Sequence, residues 1–206
     1  MPDNELRQRV AEEAARLIYE EGYRDYRLAK QKAATRIGAS TNGKGQPNNE
    51  AVEAALHRYI SLFAAEEQLP LLRQHREIAV EAMHFLQDFN PCLTGAALEG
   101  TSGPHSAVTL FLVANRAEDV IFFMEEAHIP FQIHERKVRF GQQQDYFPLL
   151  RFYADDIEVE LMIFPDSGRN NSGPISPITG KSYRRADLKK VQQLLAETER
   201  SLPSSG

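Results

Sequence analysis

The residues best suited to chemistry in this chain lie between Leu93 and Ala114, where LTGAALEGTSGPHSAVTLFLVA interleaves glycines with hydroxyl-bearing and ionisable side chains. Gly95 permits close backbone approach to a ligand. Gly100, Thr101, Ser102 and Gly103 can offer N–H and hydroxyl donors to a phosphate, because successive amides in a turn form an anion-binding concavity. Glu99, His105, Ser106 and Thr109 border the same stretch and extend the candidate ligand-binding set. A second source of chemistry is IEVELMIF, Ile157 to Phe164. In strand alternation Ile157, Val159, Leu161 and Ile163 share one face, which leaves Glu158 and Glu160 on the other. That carboxylate-bearing face is expected in solvent or lining a cleft.

Other patterns fall short of a mechanism. The TGKS at Thr179 to Ser182 lacks the glycine that a phosphate-binding P-loop needs at position 175, here Ile175, and Pro174 and Pro177 stiffen the approach. The six histidines show no HExxH spacing, and no GxSxG nucleophile elbow occurs. No catalytic residue and no metal ligand is assigned. Lys181, Arg184, Arg185, Lys189 and Lys190 gather positive charge where the last helix begins, and Arg24, Arg27, Lys30, Lys32 and Arg36 make the second helix basic. Solvated surface is the expectation for both, with an anion or a phosphate backbone as the alternative.

The elements that must position these groups can be read from periodicity. Helices are expected over Glu5–Glu21, stopped by Gly22, and over Tyr26–Ile37, capped by Asp25. Residues 39–49 read as a loop. Asn49 is placed as the cap of a helix to about Ala65 with Val52, Leu56, Tyr59, Ile60 and Phe63 on one face, and a further helix runs from Leu69 to Phe89. The pattern changes at Pro91. Strands are expected at Cys92–Gly95, Ala107–Ala114, Phe131–Phe140, Tyr146–Tyr153 and Ile157–Phe164, with a helix at Arg116–His128. A loop from Asp166 to Arg185, a helix at Asp187–Glu199 and a frayed SLPSSG tail complete the chain. The fold class is therefore α+β: a helical N-terminal region, 5–90, packed on a small mixed-sheet α/β domain, 91–199.

Composition narrows the setting. With 206 residues, 42% hydrophobic and 26% charged, the chain can bury a core as an ordinary globular protein. Its formal net charge of −5 argues against whole-surface binding to nucleic acid or anionic membrane. The single cysteine, Cys92, cannot form an intramolecular disulfide and is expected as a buried reduced thiol, which fits a cytoplasmic location. No run is long and apolar enough to span a membrane.

The order helix, strand, Gly-containing turn, strand, helix and further strands resembles the nucleotidyltransferase superfamily of polymerase-β-like folds over roughly Pro91 to Phe164. Thr94, Gly95 and Ala96 match the start of its signature. The chain as a whole resembles a group of proteobacterial proteins that join such a domain to a helical N-terminal region, through AARLIYEEGYRDYRLAKQKAATRIG, TGAALEGTSGPHS and SPITGKSYRRA. The resemblance implies two Mg²⁺ ions held by an acidic pair on one strand and a third carboxylate on a neighbour. Ala107 and Thr109 stand where the pair belongs, and Glu160, with Glu158 second, is the match for the third. A methyl group offers magnesium no oxygen and a neutral hydroxyl is a poor substitute for a carboxylate. The expectation is a degenerate nucleotidyltransferase-like module that binds a nucleotide or another phosphate-bearing small molecule, with no cofactor unless Glu158 or Glu160 serves Mg²⁺, and with a protein partner on the helical region as an option. The alternatives are an active transferase using non-standard carboxylates and a helix-turn-helix DNA-binding regulator. The latter rests on the resemblance of residues 5–40 to the start of tetracycline-repressor-type domains.

Overall fold

A computed structural model of the protein describes residues 2–39, 46–165 and 173–202. Most of the expected 39–49 loop, the start of the loop from Asp166 and the end of the C-terminal tail lie outside them. Three helices come first: α1 (Pro2–Glu21), α2 (Tyr26–Arg36) and α3 (Asn49–Tyr59). Asp25 caps α2 by accepting from the amides of Arg27, at 2.7 Å, and Leu28, at 3.2 Å. The cap of α3 is Asn48, not Asn49: its Oδ1 accepts from Ala51 N at 2.8 Å, so the helix starts one residue earlier than its sequence suggests. Small side chains knit the three together. Ala14, Ala15, Ala29, Ala33 and Ala34 are fully buried among Val10, Leu17, Val52 and Leu56, which lets the helices approach closely.

A π turn, Ile60–Ala64, then leads directly into α4 (Ala65–Phe85). The extra residue in that turn re-phases the apolar stripe, so Ile60 and Ala64 point inward. Phe63, expected on the buried face, is instead 74% exposed and Leu62 72%. The two helices expected at 50–65 and 69–89 are thus one nearly continuous run, closed by a short 3₁₀ turn at Gln87–Phe89.

The remaining elements are β1 (Cys92–Thr94), α5 (Ala96–Glu99), β2 (Val108–Val113), α6 (Ala117–Glu126), β3 (Gln132–Phe140), β4 (Gln143–Ala154), β5 (Ile157–Phe164) and α7 (Leu188–Ser201). The five strands form a mixed sheet in the order β1-β2-β5-β4-β3. Only β2 and β5 run parallel. Asp155 and Asp156 turn the β4–β5 hairpin with φ of +47° and +65°, the left-handed pair that a tight two-residue hairpin requires.

One sheet face, with Leu110, Leu112, Leu150 and Leu161 at its centre, is covered by α4, α6 and α7. The helix α4 joins this core because its stripe Ile78, Ala79, Ala82, Met83 and Leu86 needs a broad apolar partner, which a sheet face supplies. The two apolar cores therefore divide between α3 and α4, inside the helical region read from sequence as 5–90. Buried Arg76 ties the layer together. Its Nε donates to Ala97 O at 3.0 Å, and its Nη1 to Leu194 O at 3.0 Å and Thr198 Oγ1 at 2.5 Å. The opposite face carries Phe111, Phe147, Leu149, Met162 and Phe164, with Tyr183 edge-on to Phe111 at 5.2 Å. Cys92 is half-buried rather than buried, and burial pushes its thiol pKa up, away from reactivity. Among the described residues no helix is long and apolar enough to cross a membrane.

Candidate functional site

The second sheet face changes from aromatic to ionic toward the end where β2 and β5 begin. Thr109 is in register with Thr94 on β1 and with Glu160 on β5, so three neighbouring strands bring these side chains to one place. Gly95 leaves β1 with φ +74° and ψ −154°, a conformation reserved for glycine, and opens the single turn α5, which ends at left-handed Gly100. The 101–106 loop then folds back. Ser106 Oγ accepts from Gly103 N at 2.9 Å, and Gln68 Nε2 donates to Gly100 O at 3.0 Å.

The helical region docks onto this loop through two close approaches. At Gly22, where φ is +73°, a Cβ would lie 2.8 Å from His105 Cβ; at Gly103 one would lie 2.9 Å from the Tyr19 ring. His105 Nε2 donates to Glu20 O at 3.1 Å, using a carbonyl left open at the end of α1.

Glu160 is 3% exposed, and its Oε1 is shared by three guanidinium groups. Arg136 Nη2 lies at 2.8 Å, Arg151 Nη2 at 3.1 Å and Arg24 Nη1 at 3.4 Å. Glu158 accepts from Arg24 Nη1 at 2.5 Å and Nη2 at 3.2 Å. Arg151 Nε also lies 2.9 Å from Glu158, as an ion-pair contact without the alignment of a straight hydrogen bond. Burial alone would raise the Glu158 pKa, but the hydrogen bond and charge of Arg24, with Arg151 and Tyr153, outweigh it and hold the carboxyl below its ordinary value.

These groups face a cleft of about 470 Å³ between α1–α3 and the sheet. Of the eight sequence-derived candidates, Gly95, Glu99, Thr101, His105, Ser106, Thr109 and Glu160 line it. Ser102 does not: it is fully buried outside the lining, with an unpartnered Oγ. Glu99 is engaged by Arg184 Nη1 at 2.6 Å. Two further grooves, about 550 Å³ between α1 and α3 and about 950 Å³ along α4, contain no sheet residue.

Several lining residues were not anticipated. Arg24 was read as part of a solvated basic helix, yet it precedes α2 and turns inward. Arg136, Tyr23, Tyr26 and Tyr183 also line the cleft, and the hydroxyl of Tyr26 donates to Glu53. Burial, then the Glu53 charge, raises the Tyr26 pKa, so the phenol stays protonated. Thr179 to Ser182 form the tip of a small hairpin closed by the Ile175–Ser182 bridge, not a strand-to-helix phosphate loop; this hairpin delivers Pro177, Ile178 and Tyr183.

A two-magnesium cage does not fit these residues. Ala107 contributes a methyl group, Thr109 a hydroxyl, and the carboxylates of β5 already face guanidinium groups. Among the described residues no group of three or more His, Cys, Asp or Glu side chains is arranged to hold a metal ion. Compared with protein-family models and with curated proteins, the chain matches none.

Proposed function

We propose that the protein is a nucleotidyltransferase-like module whose cleft binds a nucleotide or another phosphate-bearing small molecule without transferring it, in a scaffolding or regulatory role. The observation that carries this reading is the pairing of Thr109 with Glu160 on adjacent parallel strands, beneath the Gly95 turn, with arginines around the one carboxylate. The element order supports it: α4, β1, the Gly95 turn, β2, α6 and then β3 to β5 follow the succession that the resemblance implies. Nucleotidyl transfer depends on positioning and on neutralising developing charge, and metal ions do much of both. Here the strand positions for the acidic pair hold Ala107 and Thr109, and the charge of Glu160 is already compensated. The cleft volume falls in the range of small-molecule sites.

The test is calorimetric titration of the purified protein with AMP and ATP, alongside a radiolabel assay for nucleotidyl transfer to itself or to added acceptors. Binding with no turnover is expected. Metal-dependent transfer at an enzyme's pace, on the order of 1 s⁻¹ or faster, would overturn it.

A further inference from the structure

The charge around Glu160 defines the ligand more narrowly. Arg24, Arg136 and Arg151 face Glu158 and Glu160, three cations against two anions, which leaves one formal positive charge. The excess is directed into the cleft through Arg136. Its side chain is 40% exposed, it lines the cleft, and among the described residues only its Nη2 is engaged, by Glu160. Nη1 and Nε are left as donors in the planar fork that matches a phosphate or carboxylate group. Of the other acids on the lining, Glu99 is paired with Arg184, whereas Asp25 and Glu53 accept only from neutral donors, the first amides of α2 and the hydroxyl of Tyr26, and keep their charges away from the Arg136 fork. No comparable surplus exists for a chain of phosphates. A triphosphate would add the charge of two further phosphates to a cleft whose lining already holds the uncancelled carboxylates of Asp25 and Glu53. Such a ligand needs divalent cations, and the residues present do not fit them.

Facing this ionic wall, the helical side supplies Ile18, Tyr23, Tyr26 and Leu56, and the small hairpin adds Ile178. An apolar and aromatic wall opposite a single guanidinium fork suits a ring with one anionic group.

We infer that the cleft takes a singly phosphorylated, ring-bearing small molecule, such as a nucleoside monophosphate, and that the Arg136 guanidinium does the charge neutralisation that a metal ion does in a transferase. This rests on the proposed binding role and makes it specific: recognition is metal-independent, and monophosphate is preferred to triphosphate.

The experiment is isothermal titration in EDTA with AMP, adenosine and ATP, repeated with AMP and ATP in excess Mg²⁺, on wild type, Arg136→Gln and Arg139→Gln. Arg139 is on the same strand, exposed and outside the cleft lining, so its variant serves as control. Circular dichroism and thermal melts verify folding of each protein. The inference predicts AMP binding unchanged by EDTA, adenosine and ATP each weaker than AMP by about tenfold or more, and a similar loss of AMP affinity in Arg136→Gln but not in Arg139→Gln. AMP binding that requires Mg²⁺ overturns the inference while leaving a nucleotide-binding role intact. ATP bound as tightly as AMP, with or without Mg²⁺, or AMP affinity untouched in a folded Arg136→Gln, also overturns it. If none of the three ligands binds under any condition, the binding role itself fails.

Discussion

Replacing Glu160 by Gln should lower stability and raise AMP affinity together, an opposition that follows from the arginines around it. Removing one partner of a fully buried ion pair costs about 3–5 kcal/mol, while exposed pairs contribute about 0–1 kcal/mol. The Glu160 site lies between these limits. Its side chain is 4% exposed, but those of Arg151, Arg136 and Arg24 are 26%, 40% and 46% exposed, so the cations can turn to water when the carboxylate charge disappears. The amide keeps the shape and one acceptor oxygen, which places the cost at about 2 kcal/mol. For a chain of this size that is a fall in Tm of about 4–8 °C. The excess charge of the cluster meanwhile rises by one, so AMP should bind several-fold tighter. Differential scanning calorimetry and titration of the same preparation measure both. A Tm within about 1 °C of wild type, or weaker AMP binding by a folded variant, would refute the claim that Glu160 restrains a positive cluster facing the cleft. Combining Glu160→Gln with Arg151→Met should show stronger non-additivity than combining it with Arg24→Met, because Arg151 is the least exposed of the three.

Other expectations concern how the site is held. Burial pushes His75 from an ordinary pKa near 6.5 down to about 4. The unfolded chain therefore takes up a proton below about pH 6.5 that the folded chain refuses until about pH 4, and stability falls through that window by up to about 3 kcal/mol. Urea unfolding at pH 7.5 and 4.5 should show a smaller drop for His75→Leu than for wild type. Gly22→Ala forces a left-handed residue to carry a Cβ 2.8 Å from His105, whereas the Cβ of Gly38→Ala meets nothing within 4 Å; thermal melts should show a loss of about 2 kcal/mol for the first and about 1 kcal/mol for the second. Arg76→Met removes three hydrogen bonds that join α4, α5 and α7, and calorimetry should register about 3 kcal/mol, or a Tm lower by about 6–12 °C.

Local rules made much of the fold legible. The caps and stops around Gly22, Asp25 and Asp187 mark helix ends, and alternation in Ile157–Phe164 separates carboxylates from core residues. Such features depend on neighbours in sequence. The π turn does not: its extra residue is favoured by packing of α3 and α4 against different cores, so Phe63 reads as buried and is exposed. The site shows the same boundary. Seven of eight candidates share one cleft because a single loop and two strands carry nearly all of them. The partner of Glu160 across the hairpin was also within reach: a two-residue turn at Asp155 and Asp156 pairs Ala154 with Ile157, and counting back places Arg151 opposite Glu160. Arg136 and Arg24 were beyond it. The first reaches Glu160 past the intervening β4, and the second arrives from a helical corner whose docking only tertiary packing decides.

The junction at Ile60–Ala64 acts as a crankshaft. The helix before it belongs to the α1–α3 bundle and the helix after it to the sheet, so a rocking of the bundle that widened the cleft would have to wring this one joint. Leu62 and Phe63 project into solvent at this joint and lie outside the cleft lining, so a fluorophore at position 62 would register any such torsion on filling of the cleft without touching its contents.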